Sequence, residues 1–230
     1  MGTTIRPDAA PPLLRLLQWV SPNLPIGGFT YSQGLEWAVE AGWVGDEAAF
    51  ADWLRDVLEH SLSRVDLPAF ARLHRACVAR DEHALGHWAA WLLACRETAE
   101  LRLEERQRGR ALATLLVDLG LPRASEWRPR LETAAAAGFA LAAEADGVPV
   151  RDAALGYAWA WLEGQIVAGV KLIPLGQTAG QRLQRGLAGV VADAVDRALD
   201  LPDDALGASL PALAIASSRH ETQYTRLFRS

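Results

Sequence analysis

The apolar residues of this chain recur at steps of three and four almost from end to end, and this spacing constrains its fold more than any other feature. Similar stripes occur within 85–95, 112–119, 155–166 and 187–195, and the first one consists of Phe50, Trp53, Leu54, Val57, Leu58 and Leu62. Such spacing places apolar side chains on one face of an α-helix. Alanine is abundant and clusters of β-branched residues are few, which favours helix over strand.

Prolines and glycines divide this pattern into short segments, with breaks near Pro68 and within 120–125, 146–149, 173–177 and 200–205. The spacing of the breaks predicts roughly nine or ten helices joined by short loops. A chain of 230 residues can bury a sizeable core, and no 34- or 40-residue repeat is present. We therefore expect one all-α globular domain over residues 1–230, with residues 1–10 disordered and residues 219–230 forming a tail.

Composition excludes several classes of protein. A net charge of -5 argues against a general nucleic-acid binder. No apolar run reaches the 18 or so residues of a membrane span, and the first residues lack the pattern of a signal peptide. Cys77 and Cys95 lie in apolar helical patterns and are expected to be buried, reduced thiols. A cytoplasmic protein without a membrane segment fits these observations.

Motifs of catalysis are missing from the sequence. It has no phosphate-binding GxxxxGK[ST] loop, no GxGxxG after a strand and no GxSxG nucleophile turn. His83 and His87 are spaced for one metal ion, but the glutamate of HExxH and an obvious third ligand are absent. We therefore predict a non-enzymatic protein without a metal site. Two alternatives stay open, an all-α metal-dependent hydrolase and a general helical adaptor.

Two segments depart from the helical stripes before the tail is reached. The stretch SPNLPIGGFTYSQGLEWAVEAGWV, residues 21–44, places two prolines and two adjacent glycines just before Tyr31 and Glu36. It predicts a stiff corner that either only packs or presents a surface to a ligand or partner.

Lys171 is the only lysine of the chain and ends an apolar helix just before Pro174. Its charge would offset the helix-end carbonyls, but an arginine would serve equally well there.

The tail carries three arginines together with Tyr224, Leu227 and Phe228, and His220 lies near its start, beside Glu221. Its apolar periodicity is too weak for it to bury itself well. We expect it to become ordered on a partner protein, with aromatic anchors and with arginines that pair with carboxylates. A frayed chain end is the alternative.

These three segments together resemble the urease accessory protein F (UreF) family. Residues 21–44 are similar to the N-terminal signature of that family. The segment GVKLIPLGQTAGQ, which begins at Gly169, is similar to its second signature, and HETQYTRLFRS, which begins at His220, is similar to its C-terminal signature. The order is that of the family, and the resemblance spans nearly the whole chain. Residues 46–150 match mainly in helical character and length. Thr30 departs from the pattern, because serine is commoner at that position.

The resemblance implies an all-α fold and a non-enzymatic role in urease maturation. Members of the family bind a second accessory protein, D (called H in some bacteria), and the pair recruits the GTPase accessory protein G to deliver nickel to apo-urease. They dimerise, and they are proposed to modulate GTP hydrolysis by G and to help form a nickel passage. This chain is thus expected to form a homodimer and to leave nickel and GTP to the partner complex, with no cofactor of its own.

The resemblance also carries a partner-binding role to particular positions. Lys171 and Arg226 match family residues implicated in engaging G, and Tyr224, Leu227 and Phe228 match the segment that docks on D. Four further residues fall within the first two signatures: Tyr31, Glu36, Gln177 and Gln181. On this interpretation, binding of D orders the tail and brings Arg226 against the body near Lys171.

Overall fold

The computed structural model describes residues 10–230, and in that part of the chain it confirms the all-α prediction. There are ten helices and no strand among those residues. The helices are α1 (Pro12–Trp19), α2 (Leu35–Glu40), α3 (47–79), α4 (Glu82–Ala94), α5 (Ala99–Asp118), α6 (Arg128–Leu131), α7 (Ala135–Ala145), α8 (Val150–Leu172), α9 (Gln177–Leu199) and α10 (Pro211–His220). None of them is both long and apolar enough to cross a membrane. The expectation of disorder in residues 1–10 falls, but for residue 10, outside the described part.

Helix α3 is continuous but has three parts, an α-helix at Glu47–Asp56, a π-helix at Val57–Asp66 and an α-helix at Leu67–Ala79. The sequence predicts a helix start at Pro68, and an α-helical part does begin at Leu67. The chain nevertheless stays helical before that point. Because proline has no N–H, the hydrogen-bond ladder must be interrupted there, and the π-helical part lies directly before the interruption.

Helix α7 lies at the centre of the core. Residues 135–143 are all buried, and the helix packs against α3, α5 and α8. Its small residues let neighbouring helices approach closely: a Cβ built on Gly138 would lie 2.7 Å from Cδ2 of Leu112 on α5. A helix that is apolar on every side belongs in the interior of a domain. One continuous cluster of buried apolar residues surrounds it.

A buried ion cluster ties α3, α5 and α7 together. The guanidinium of Arg96 pairs with Asp66 at the end of the π-helical part and, at 2.8 Å, with Glu105 on α5. Glu105 also accepts a hydrogen bond of 2.9 Å from the backbone N–H of Ala135, the first residue of α7. Burial acts to raise the pKa of Glu105, but the charges of Arg96 and Arg108 outweigh it, and the pKa is lowered. The core therefore contains a charged joint as well as apolar packing.

Helices α8 and α9 form a packed pair joined by residues 173–176. Ile173 is extended, with φ of −108°, which confirms the break predicted before Pro174. The end of α8 presses on α3, since a Cβ at Gly169 would lie 2.3 Å from the ring of Phe50. This packing fixes the last turn of α8, and Lys171 with it.

Candidate functional site

The corner predicted from residues 21–44 is a set of tight turns that ends at α2. Gly27 and Gly34 have φ of 71° and 84°, values that glycine adopts without strain. Gly34 also lies against α10, because a Cβ there would be 2.7 Å from the backbone nitrogen of Ser217. The corner thus does more than set the entry angle of α2: it joins the N-terminal signature to the last helix.

The tail folds back on this corner. The backbone N–H of Arg229 donates to the carbonyl of Thr30 at 2.8 Å, and the N–H of Ser32 donates to the carbonyl of Ser230 at 2.7 Å. The side chain of Phe228 is only 6% exposed. The expectation that the tail cannot bury itself is therefore wrong for Phe228 and Ser230. It failed because backbone hydrogen bonds, which apolar periodicity does not measure, hold the segment down.

Four side chains anchor the tail, and we call this group the clasp: Glu36 on α2, Glu100 on α5, His220 at the end of α10, and Arg226. The carboxylate of Glu36 accepts from the backbone N–H of Leu227 at 2.6 Å and from that of Phe228 at 2.9 Å. His220 Nε2 lies 3.1 Å from Glu36 Oε2, and its Nδ1 lies 2.7 Å from Glu100 Oε2. Arg226 Nη1 donates to Glu100 Oε1 at 2.8 Å.

Lys171 reaches the tail from the other side. Its Nζ lies 5.6 Å from the centroid of the Phe228 ring, within the range of a cation–π interaction. The tail residue that approaches Lys171 is Phe228, whereas the resemblance implies Arg226 at that place once D is bound. Arg226 is turned instead toward Glu100. Phe228 therefore lies between the first and second signatures, with its backbone on Glu36 and its ring under Lys171.

Gln177 and Gln181 lie in the first turns of α9, and both are exposed. They line one surface pocket together with Lys171 and Glu163 of α8. Gln181 Nε2 has a long contact of 3.4 Å with Gln184 Oε1. The structure thus brings the three predicted residues of the second signature to one surface pocket, which the apolar Ile166, Val167 and Val170 also line.

The remaining predicted residues divide into buried and exposed ones. Tyr31 is buried, and its hydroxyl donates to Gln107 Oε1 at 2.7 Å. Burial, aided by the nearby charge of Glu104, raises the pKa of Tyr31. In contrast, the side chains of Tyr224 and Leu227 are turned to solvent. Tyr31 therefore supports the corner from inside, whereas the two tail residues are available at the surface.

Sequence reasoning missed the charged face of α5 that holds the tail. Glu100, Glu104 and Arg108 follow one another at steps of four, which places them on one side of the helix. Glu104 accepts from Ser230 Oγ at 3.0 Å and from Gln33 Nε2 at 2.8 Å. The sequence signal that could have identified this face is the periodic row of charged residues on a helix that also carries buried leucines.

The histidine pair of the metal-dependent alternative gains no support. His83 and His87 are exposed on α4. Among residues 10–230, no group of three His, Cys, Asp or Glu side chains is arranged to hold a metal ion.

The fold and site define a class: an all-helical protein whose C-terminal segment is held against an N-terminal corner by backbone hydrogen bonds and charged side chains. The model of the UreF family matches residues 44–188, more than half of the chain. A urease accessory protein UreF of Pseudomonas putida KT2440 is 59% identical over 218 residues, covering 95% of this chain and 97% of its own. The UreF protein of Alkalilimnicola ehrlichii is 50% identical over the full length of both chains. That of Escherichia coli O157:H7 is also 50% identical, covering 94% of this chain and 97% of its own. This chain belongs to the UreF family.

Proposed function

We propose that this chain is a urease accessory protein that works as a non-enzymatic scaffold. It binds accessory protein D (or H) and recruits the GTPase accessory protein G, so that nickel is inserted into apo-urease. It modulates GTP hydrolysis by G, and nickel and GTP are handled by the partner complex. The names of the relatives support the urease part of this proposal. The particular partners come from the resemblance of the three signatures.

The observation that carries the proposal is the convergence of the three signatures on Phe228. They are far apart in sequence, yet Glu36 holds the backbone of Phe228 and Lys171 covers its ring. The contacts are directional, and charged groups take part in both. A partner that binds the tail would thereby act on both other signatures, which is what a scaffold linking two proteins requires.

Two surfaces follow from the exposure of the residues. Tyr224 and Leu227 present apolar and aromatic surface on the outer side of the tail, and we assign them to D. Lys171 with Gln177 and Gln181 forms a polar surface, and we assign it to G. Phe228 joins the two, because it is buried between them.

The assignment to D is tested with exposed residues, so that the fold is left intact. The double variant Tyr224→Ala/Leu227→Ala should lose co-purification with D by at least tenfold, while its helical circular dichroism stays that of the wild type. The matched control is Leu119→Ala, since Leu119 is a half-exposed leucine at the end of α5. Wild-type recovery of D by the double variant would refute the assignment.

The assignment to G is tested with Lys171→Ala in cells that express the full accessory set. G should no longer co-purify and urease should stay inactive, although D is still bound. Arg185→Ala, an exposed arginine on α9, serves as the control for a loss of positive charge. Normal urease activation by the Lys171 variant would refute the assignment to G and leave that lysine only its electrostatic role at the end of α8.

The homodimer and the cytoplasmic location belong to the same proposal. Sedimentation of the purified chain tests the dimer, and fractionation of cells tests the location. Metal analysis of the same sample tests the scaffold against the hydrolase, because a tightly held stoichiometric ion would support the enzyme.

A further inference from the structure

We propose that the surface assigned to G extends along α8 to Glu163 and across to Phe29, and that Glu163 binds an arginine or a lysine of the partner there. The inference rests on the proposed function for the identity of that partner. Glu163 lies outside all three signatures, so the resemblance assigns it no role. None of the contacts of the tail enters the argument.

Helix geometry places Glu163 on the same face of α8 as Lys171. The two residues are eight positions apart with Val167 midway, and steps of four follow one side of a helix. All three line one surface pocket, together with Gln177 and Gln181 of α9. Eight residues of helix span about 12 Å, so the acid and the lysine lie at opposite ends of one continuous surface.

The carboxylate of Glu163 is half-buried and has no partner among residues 10–230. It forms neither a hydrogen bond nor an ion pair there. Burial raises the pKa of Glu163, whereas the arginines around Glu105 lower the pKa of that acid. A partly desolvated carboxylate without a cation costs the folded chain free energy, and a cation brought by a partner would offset that cost.

The corner places an aromatic side chain beside this acid. The turn Gly28–Thr30 packs against α8, and Phe29 lines a second pocket together with Glu163 and Val167. Phe29 is 63% exposed and Val167 41%, so both offer apolar surface to solvent. A Cβ built on Gly164 would meet no atom of the described residues within 4 Å, which leaves room beside Glu163. Aromatic side chains are among those that contribute most at protein interfaces.

These side chains define the partner segment that fits this surface. An arginine suits it best, because a guanidinium binds a carboxylate through two parallel hydrogen bonds and stacks on an aromatic ring. The surface is negative at Glu163, near the corner, and positive at Lys171, near the end of α8. Since each end attracts one sign of charge and repels the other, this order fixes the direction in which the partner lies along the helix.

Urea unfolding of the purified chain at pH 7 is the first test. Because the carboxylate is partly desolvated and unpaired, Glu163→Gln should unfold at the same urea concentration as the wild type or at a higher one. Glutamine has nearly the same shape as glutamate, so the packing of α8 is kept. A lower midpoint would show that the carboxylate stabilises the fold, and it would overturn its assignment to a partner.

Binding of G to the full chain in the presence of D is the second test. Glu163→Gln and Phe29→Ala should each keep D and lose affinity for G by at least about fivefold. The matched controls are Glu59→Gln, a half-buried glutamate on α3, and Val78→Ala, an exposed valine on the same helix. Both controls should bind G as the wild type does. A smaller loss in Glu163→Gln would overturn the role of the acid, and a smaller loss in Phe29→Ala would overturn that of the ring.

The salt dependence of the same binding tests the charge itself. Raising the salt concentration from about 0.05 to about 0.5 M should weaken binding of G to the wild type more than to Glu163→Gln, because screening removes only an attraction that is present. Equal salt dependence would refute the pairing.

The outcomes separate this inference from the proposed function. If the wild-type chain does not recruit G at all, the proposed function fails and the extended surface fails with it. If Lys171→Ala loses G while Glu163→Gln keeps it, the proposed function stands and only the extension along α8 is refuted.

Discussion

Replacing Gly34 by alanine should destabilise the chain through two separate effects. The residue has φ of 84°, and its missing Cβ faces the backbone of α10, at 2.7 Å from the nitrogen of Ser217 and 3.0 Å from the carbonyl carbon of Ala216. The left-handed conformation costs a non-glycine residue about 1–2 kcal/mol. Because the opposing atoms are backbone and cannot rotate away, overpacking adds about 1–3 kcal/mol. The expected loss in the free energy of unfolding is thus about 2–5 kcal/mol.

Two other glycines separate these effects. Gly42 has φ of 75° but no atom within 4 Å of a built Cβ, so Gly42→Ala should lose only the conformational part, about 1–2 kcal/mol. Gly28 has neither a positive φ nor a close neighbour, and Gly28→Ala should be neutral or slightly stabilising. The three variants therefore form a series that isolates the contact between α2 and α10.

Urea unfolding followed by tryptophan fluorescence and by far-UV circular dichroism measures this series. Agreement of the two probes would justify a two-state free energy for each variant. If Gly34→Ala and Gly42→Ala lost the same free energy, to within about 0.5 kcal/mol, there would be no steric contact between Gly34 and α10. The corner would then not be packed on α10, and only its hydrogen bonds to the tail would connect it to the C-terminal part of the chain.

Four further predictions concern the core and the tail. Arg96→Met leaves two buried carboxylates without their partner and should cost about 3–5 kcal/mol in urea unfolding. Because the pKa of Glu105 is lowered in the folded chain, its contribution to stability is present above its unfolded pKa and is lost as the pH falls through the folded one, so the urea midpoint should drop on acidification. Burial raises the pKa of the Cys77 thiol to about 12, so a thiol reagent at pH 8 should label it only after unfolding. Phe228→Ala should speed tryptic cleavage after Arg226 without changing the helical circular dichroism, and unchanged cleavage would contradict the packing of that ring.

The helical fold could be predicted from the sequence because spacing and breakers act locally. The extended residue before Pro174 ends α8 where steric rules require it. The π-helical part of α3 could not be predicted in this way. It depends on how the whole helix packs, and the apolar stripe through Val57 and Leu62 reads as ordinary α-helix.

The candidate site was only partly predictable. The signatures identified Glu36 and Phe228, but nothing in the local pattern indicated that both are buried against each other. Their contact joins a carboxylate to a backbone N–H across 192 positions of sequence, and every residue except proline carries that N–H. His220 was missed as an anchor because its two carboxylate partners lie on helices far away in the sequence.

Burial separates the residues of this site by the way in which they can act. A buried group such as Glu36 cannot touch a partner while the tail is in place, so it affects binding only by setting the position of what is exposed. Tyr224, in contrast, has its whole side chain in solvent and can contribute contact area directly. A partner that binds Tyr224 would contact the same segment as Phe228, whose backbone N–H is bound to Glu36 and whose ring lies under Lys171. On the function proposed above, binding at the tail would act on the second surface through the hydrogen bonds of the clasp and the ring of Phe228.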